Sequence, residues 1–236
     1  MTPSTSRRGS RAPSTLFGPL STVRYTVNGV DFDMVRVPPG RFIDGEGPAR
    51  RELLVSRLFE IGLAPVTQAL WRAVMGSSPS GFRGEDRPVE QVSWNEVQQL
   101  RGALAGHGLP GFRLPTEAEW AWAARCGVPT RWAGADRAEV AAMVSPSQTA
   151  AVAGLSGSAV GAFSFPGNVY EWAGDRYEQV PLAGVDVQGP ASGSNRVYRG
   201  GSWYYSPQDA RVARRDYGDP GDRGNYLGVR LLRIAP

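Results

Sequence analysis

Apolar and polar positions alternate through residues 23–43, around Asn28–Gly29. That pair suits the tight turn of a hairpin, so the stretch predicts two or three strands. Residues 52–63 (ELLVSRLFEIGL) predict another strand. The period then lengthens. After Pro65–Val66–Thr67, Leu70, Trp71 and Val74 fall at helical spacing, predicting a helix to about Met75 that Gly76–Gly81 ends as a loop. Ser93–Trp94–Asn95–Glu96 reads as a capping box, in which the Ser93 hydroxyl and the Glu96 carboxylate satisfy each other's backbone amides. It predicts a helix to about Gly106 that buries Val97, Leu100 and Leu104. Thr116–Glu117–Ala118–Glu119, after Pro115, is a second capping box and opens a helix to about Arg125, with Trp120 and Ala124 on one face. Such caps contribute ~1 kcal/mol each, so both helix starts are well specified. Residues 127–166 are rich in Gly, Ala, Ser and Pro and predict long irregular loops with short strands. Residues 168–173 and 196–203 read as buried turns and strands around Trp172 and Trp203.

The bulk composition narrows the function classes. Thirty Gly and nineteen Pro argue for a loop-rich fold, and 41% apolar content with seven Trp supplies a core. Residues 1–22, rich in Ser, Pro and Arg, read as a flexible basic tail ahead of a single domain over 23–236. The tail lacks the apolar run of a signal peptide, and no segment has the length of a membrane span. The expected location is cytoplasmic, or outside the cell as cargo of a phage or secreted particle. All the basic residues are Arg, yet net charge is only +4 and the arginines are scattered, without a basic helix or an aromatic–basic repeat. Nucleic acid is therefore not the expected partner. Cys126 is the lone cysteine and His107 the lone histidine. Intrachain disulfides, cysteine-based zinc sites and multi-histidine metal sites are excluded. His107 sits where the second helix should end, a favourable place for it in the helix dipole.

The last 40 residues have a different character. Arg199–Gly200–Gly201–Ser202–Trp203 and Leu227–Gly228–Val229–Arg230–Leu231 read as fixed scaffold. Between them, residues 204–226 hold four of the eight tyrosines, with Asp, Gly, Ser, Asn and Arg. Tyr offers large, rigid contact area at low entropic cost, and Ser, Gly and Asn offer adaptable hydrogen bonding. The composition suits a binding surface and is poor for a core strand or helix.

Six motifs occur in an order that resembles the formylglycine-generating enzyme (sulfatase-modifying factor) family. They are Pro65–Val66–Thr67–Gln68 through Gly76; Pro88–Val89 with Val92–Ser93–Trp94; Phe112–Arg113–Leu114–Pro115–Thr116–Glu117–Ala118–Glu119–Trp120 with Ala123–Ala124–Arg125; Gly167 to Trp172; Arg199 to Trp203; and Leu227 to Arg230. The resemblance covers roughly residues 34–236. It implies an α+β fold of the C-type lectin type: a small antiparallel sheet, two or three flanking helices and much irregular loop. The family's oxidases need a cysteine pair after the Gly–Gly–Ser–aromatic motif to bind copper as thiolates. Here no Cys follows Tyr204, and a soft copper site without such ligands is implausible. Iron-dependent relatives use three histidines, and this chain has one.

The C-terminus resembles instead the variable proteins of diversity-generating retroelements, which use the same scaffold and randomise adenines of AAY codons. The resulting NNY codons encode Tyr, Ser, Asp, Gly or Asn but never Lys, Gln, Glu, Trp or Met. The resemblance marks Tyr204, Tyr205, Ser206, Asp209, Asp216, Tyr217, Gly218, Asp219, Gly221, Asp222, Gly224, Asn225 and Tyr226 as variable ligand-binding positions on one contiguous face. Gln208 is unreachable by NNY and should be constant, and Pro207, Ala210, Arg211, Val212, Arg214, Arg215, Pro220 and Arg223 look like scaffold. The implied function is non-catalytic binding of a protein or other macromolecule. The alternative is a formylglycine-type oxidase or an inactive scaffold relative of one. The family also implies a structural calcium, for which Asn168 and Glu171 are the candidate side-chain ligands, although Ser164 stands where an Asp is usual.

Overall fold

The computed structural model describes residues 20–125, 131–132, 140–141, 147–152 and 165–234. Cys126, Ser164, residues 1–19 and most of the loop predicted at 127–166 lie outside the described residues. Asn28 and Gly29 both take positive φ, 48° and 78°, and join β1 (Thr22–Val27) to β2 (Val30–Val37) as the predicted hairpin. Leu20 already packs on the core, and the Arg36 amide donates to the Ser21 carbonyl at 2.9 Å. Packed chain therefore begins by residue 20, slightly before the expected boundary at 23. β3 (Gly40–Asp44) follows. The single strand expected at 52–63 is in fact two, β4 (Arg51–Val55) and β5 (Phe59–Gly62), which join different sheets.

The three helices named from sequence are present. α1 (Gln68–Met75) is capped by Thr67 and ends on Gly76 at φ 68°. α2 (Trp94–Gly106) carries both halves of the Ser93–Glu96 box, buries Val97, Leu100 and Leu104, and ends on His107. α3 (Glu117–Arg125) starts from the Thr116–Glu119 box, whose two bonds measure 2.8 and 3.1 Å. α3 is buried nearly all round, including Glu117, Trp120 and Trp122, so one apolar face understates it.

The remaining strands are β6 (Phe112–Arg113), β7 (Tyr170–Arg176), β8 (Gly184–Val185), β9 (Arg196–Arg199), β10 (Arg215–Gly218), β11 (Leu227–Gly228) and β12 (Leu232–Ile234). Among the described residues they form three small sheets, ordered β1-β2-β5-β12-β6, β10-β9-β7-β11 and β3-β4-β8. One core cluster lies beneath α1 and α2 and includes Trp71, Tyr170 and Trp172; a second surrounds α3. This α+β arrangement of small sheets, three helices and long loops is the lectin-type fold expected. No helix among the described residues is long and apolar enough to cross a membrane.

Candidate functional site

The stretch 204–226 is held by its backbone. Carbonyls accept bonds from the surrounding frame: Pro207 from the Trp132 indole at 2.9 Å, Val212 from buried Arg199, Pro220 from the Asn95 amide at 3.1 Å, and Gly224 from the Gln91 amide at 2.9 Å. Asn225 accepts from the Trp203 indole at 2.9 Å, and Tyr226 from the Tyr170 amide at 2.8 Å. These bonds do not depend on which side chains the stretch carries. Inside it, β10 pairs antiparallel with β9, with Asp216 opposite Tyr198 and Tyr217 opposite Val197. Composition argued against a strand here; an edge strand forms because β9 offers it a ladder. Gly200 and Gly201 sit at φ 102° and 73°. A Cβ on Gly201 would lie 2.6 Å from the Ala210 Cα, so Gly201 permits a close backbone approach to Ala210.

None of the positions expected to vary is buried: Tyr204, Tyr205, Ser206, Tyr217, Asp219, Gly221 and Asp222 are exposed, and Asp209, Asp216, Gly218, Gly224, Asn225 and Tyr226 are half-buried. Ala210 and Val212, interleaved with them, are fully buried. Gln208 is exposed, and its carbonyl accepts from Arg211 Nε at 2.7 Å. Arg211 also pairs with Glu46, Arg215 with Glu117 and Arg223 with Glu96, which ties the arginines to the frame.

The tyrosines form two groups of contacting rings. Tyr204, Tyr205 and Tyr226 meet edge to face at 5.4 and 5.9 Å, and Tyr205 packs on Tyr170 at 5.4 Å. Tyr217 points to the other side of its strand from Asp216 and stacks on Tyr177 at 3.9 Å. Tyr170 and Tyr198 are not among the predicted site residues because they lie in segments that read as buried scaffold, and Tyr177 because it lies in none of the motifs. Burial first, and Asp216 second, push the Tyr170 and Tyr198 hydroxyls above the ordinary phenol range, so both are neutral donors near pH 7.

Beneath the face lies a buried ionic frame. Arg199 is fully buried and binds Glu117 and the Val212 carbonyl, with Asp44 at 3.4 Å. Arg51 reaches Asp44 at 3.0 Å and Glu117 at 3.2 Å. Burial alone would raise both carboxyls, yet Arg199 and Arg51 hold them below the usual carboxylate range. Arg199 thus explains the Arg–Gly–Gly–Ser–Trp motif: its charge anchors the loop that follows.

The calcium ligands expected from the resemblance are committed elsewhere. Glu171 takes a two-point pair from Arg230 at 2.8 and 2.9 Å, plus the Trp120 indole at 2.6 Å. The Asn168 amide exchanges two bonds with the Ala150 backbone, at 2.8 and 3.1 Å. A guanidinium already fills the cation's place at Glu171, and the Asn168 oxygen is spent on an amide. The pair does not fit calcium, and no cluster of three or more His, Cys, Asp or Glu suited to a metal occurs among the described residues. Arg230 also donates to the Gly62 carbonyl at 2.8 Å.

Residues 26–235 match the sulfatase-modifying factor enzyme 1-like domain. The solved structure of Treponema denticola variable protein 1 is similar, with a TM-score of 0.83 and 30% identity, covering 91% of this chain and 99% of that one. Chaperone protein LppX of Paenibacillus barcinonensis is 25% identical over 86% of this chain and 90% of its own length. The formylglycine-generating enzyme of Streptomyces coelicolor is 32% identical over 72% of this chain, which spans 60% of that enzyme's length.

Proposed function

The chain belongs to the sulfatase-modifying factor enzyme 1-like family, and from that premise we propose that it is a binding protein without catalysis, whose diversified face at 204–226 takes a protein or other macromolecular partner. The observation that carries this is the division of labour within the stretch. The positions expected to vary are exposed or half-buried, while the interleaved Ala210 and Val212 are buried. Frame donors hold the backbone through carbonyls, so side chains can change without loss of those bonds. Exposed substitutions of this kind usually shift stability by less than ~0.5 kcal/mol. Similarity to a variable protein along its whole length supports the same reading. The oxidase reading finds no support in the stretch after Trp203, which lacks cysteine.

The test is a library. NNY codons at the positions expected to vary should leave most members folded, scored by protease resistance on a display surface. The same codons at Ala210, Val212 and Leu227 should unfold most members. Equal survival of the two libraries contradicts the proposal.

A further inference from the structure

Tyr170 belongs to the frame, in β7, yet its side chain serves the face. It is 1% exposed, and its hydroxyl has no hydrogen-bond partner among the described residues. An unpaired buried hydroxyl is destabilising, and buried polar side chains in native proteins are mostly paired. Part of what closes over the ring is expected to vary. Tyr205 lies edge-on at 5.4 Å and Tyr226 at 6.5 Å. The third wall is constant: Tyr198 at 4.9 Å, itself backed by Trp172 at 5.3 Å. The charges bearing on the hydroxyl are Asp216, Asp209 and Arg214.

We infer that Tyr170 and Tyr198 form a fixed aromatic socket, plugged in this sequence by Tyr205, that takes a tyrosine side chain of a protein partner when residue 205 is small. The plug displays the chemistry: a phenol ring already rests edge to face on Tyr170, a geometry that aromatic pairs favour. The Tyr170 hydroxyl donates to the incoming phenol oxygen. Asp209 and Asp216 disfavour a carboxylate in its place. This inference rests on the reading of 204–226 as a diversified face, to which it adds a socket in the frame that opens where residue 205 is small. Aromatic residues at the centre of an interface are the usual source of binding energy.

The probe is p-cresol, the tyrosine side chain in isolation, with toluene as its hydroxyl-free counterpart, titrated calorimetrically into the full chain. Tyr205→Ala should bind p-cresol at least tenfold tighter than the native sequence, as an opened apolar cavity binds a matching aromatic. Adding Tyr170→Phe should weaken p-cresol about tenfold, the scale of one hydrogen bond, and leave toluene unchanged. Tyr205→Ser repeats the test should the alanine variant misfold. Equal p-cresol affinity for Tyr205→Ala and the native sequence overturns the socket. So does a p-cresol affinity indifferent to Tyr170→Phe. Codon variation is read from DNA, so failure of the socket is distinguishable from failure of the diversification reading.

Discussion

Asp175 is 3% exposed, and its carboxylate accepts the Glu117 amide at 2.7 Å where α3 begins. Burial first, and the Glu117 charge second, push its pKa up to about 7 from an ordinary 3.8; Glu119 adds to this and Arg51 opposes it. A carboxyl raised in the folded state binds more protons folded than unfolded, so stability falls as pH rises between the two values. The slope is about 1.4 kcal/mol per pH unit, from about pH 4 to about pH 7, and the penalty is constant above that. Asp175→Asn keeps an oxygen for the Glu117 amide and removes the titration. Asp44 and Glu117, held low by their arginines, stabilise above their unfolded pKa and lose that contribution as pH falls. Both stay ionised between pH 5 and pH 8, so neither titrates in that range. Between pH 5 and pH 8 the asparagine variant should therefore gain roughly 3 kcal/mol relative to the native sequence, from two units of titration. Urea unfolding at fixed ionic strength across that range measures it. A difference that stays flat, or that favours the native sequence at pH 8, refutes the reasoning.

Other outcomes follow from the same geometry. Glu171→Ala leaves Arg230 buried without its carboxylate and should cost about 3–5 kcal/mol by denaturant unfolding, whereas EDTA should leave Tm unchanged. Gly201→Ala combines a φ of 73° with the 2.6 Å approach to Ala210 and should cost at least ~2 kcal/mol, while Tyr204→Ser should cost less than ~0.5 kcal/mol. Some positions expected to vary lie in contact with one another. A Cβ on Gly224 would meet the Tyr226 ring at 2.6 Å, and one on Gly218 would meet Asp222 at 2.7 Å. Gly224→Asn should thus be better tolerated with Tyr226→Ser than alone, by a coupling of about 1 kcal/mol in a double-mutant cycle.

The helices were legible because their signals are local. Thr67, Ser93 and Thr116 cap the turns they precede, and the apolar spacing that follows each cap marks the buried side. The strand at 52–63 was misread as one because its break, Ser56–Leu58, carries no Gly or Pro, and which sheet each half joins depends on partners far along the chain. Exposure of the variable positions was readable from residue type. The socket was not, since Tyr170 and Tyr198 are brought to the face by the pairing of β7 with β9 and of β9 with β10. Glu171 and Asn168 looked like oxygen ligands because sequence does not show that Arg230 and Ala150 meet them.

The central claim is that side chains at 204–226 change while their frame does not. Deep sequencing of the codons for residues 199–231 across a population of the source organism tests it most directly. Variation confined to NNY codons at the positions named, with Gln208, Ala210, Val212 and the arginines constant, is the expected result. An invariant stretch, or drift spread evenly over exposed and buried positions alike, contradicts it.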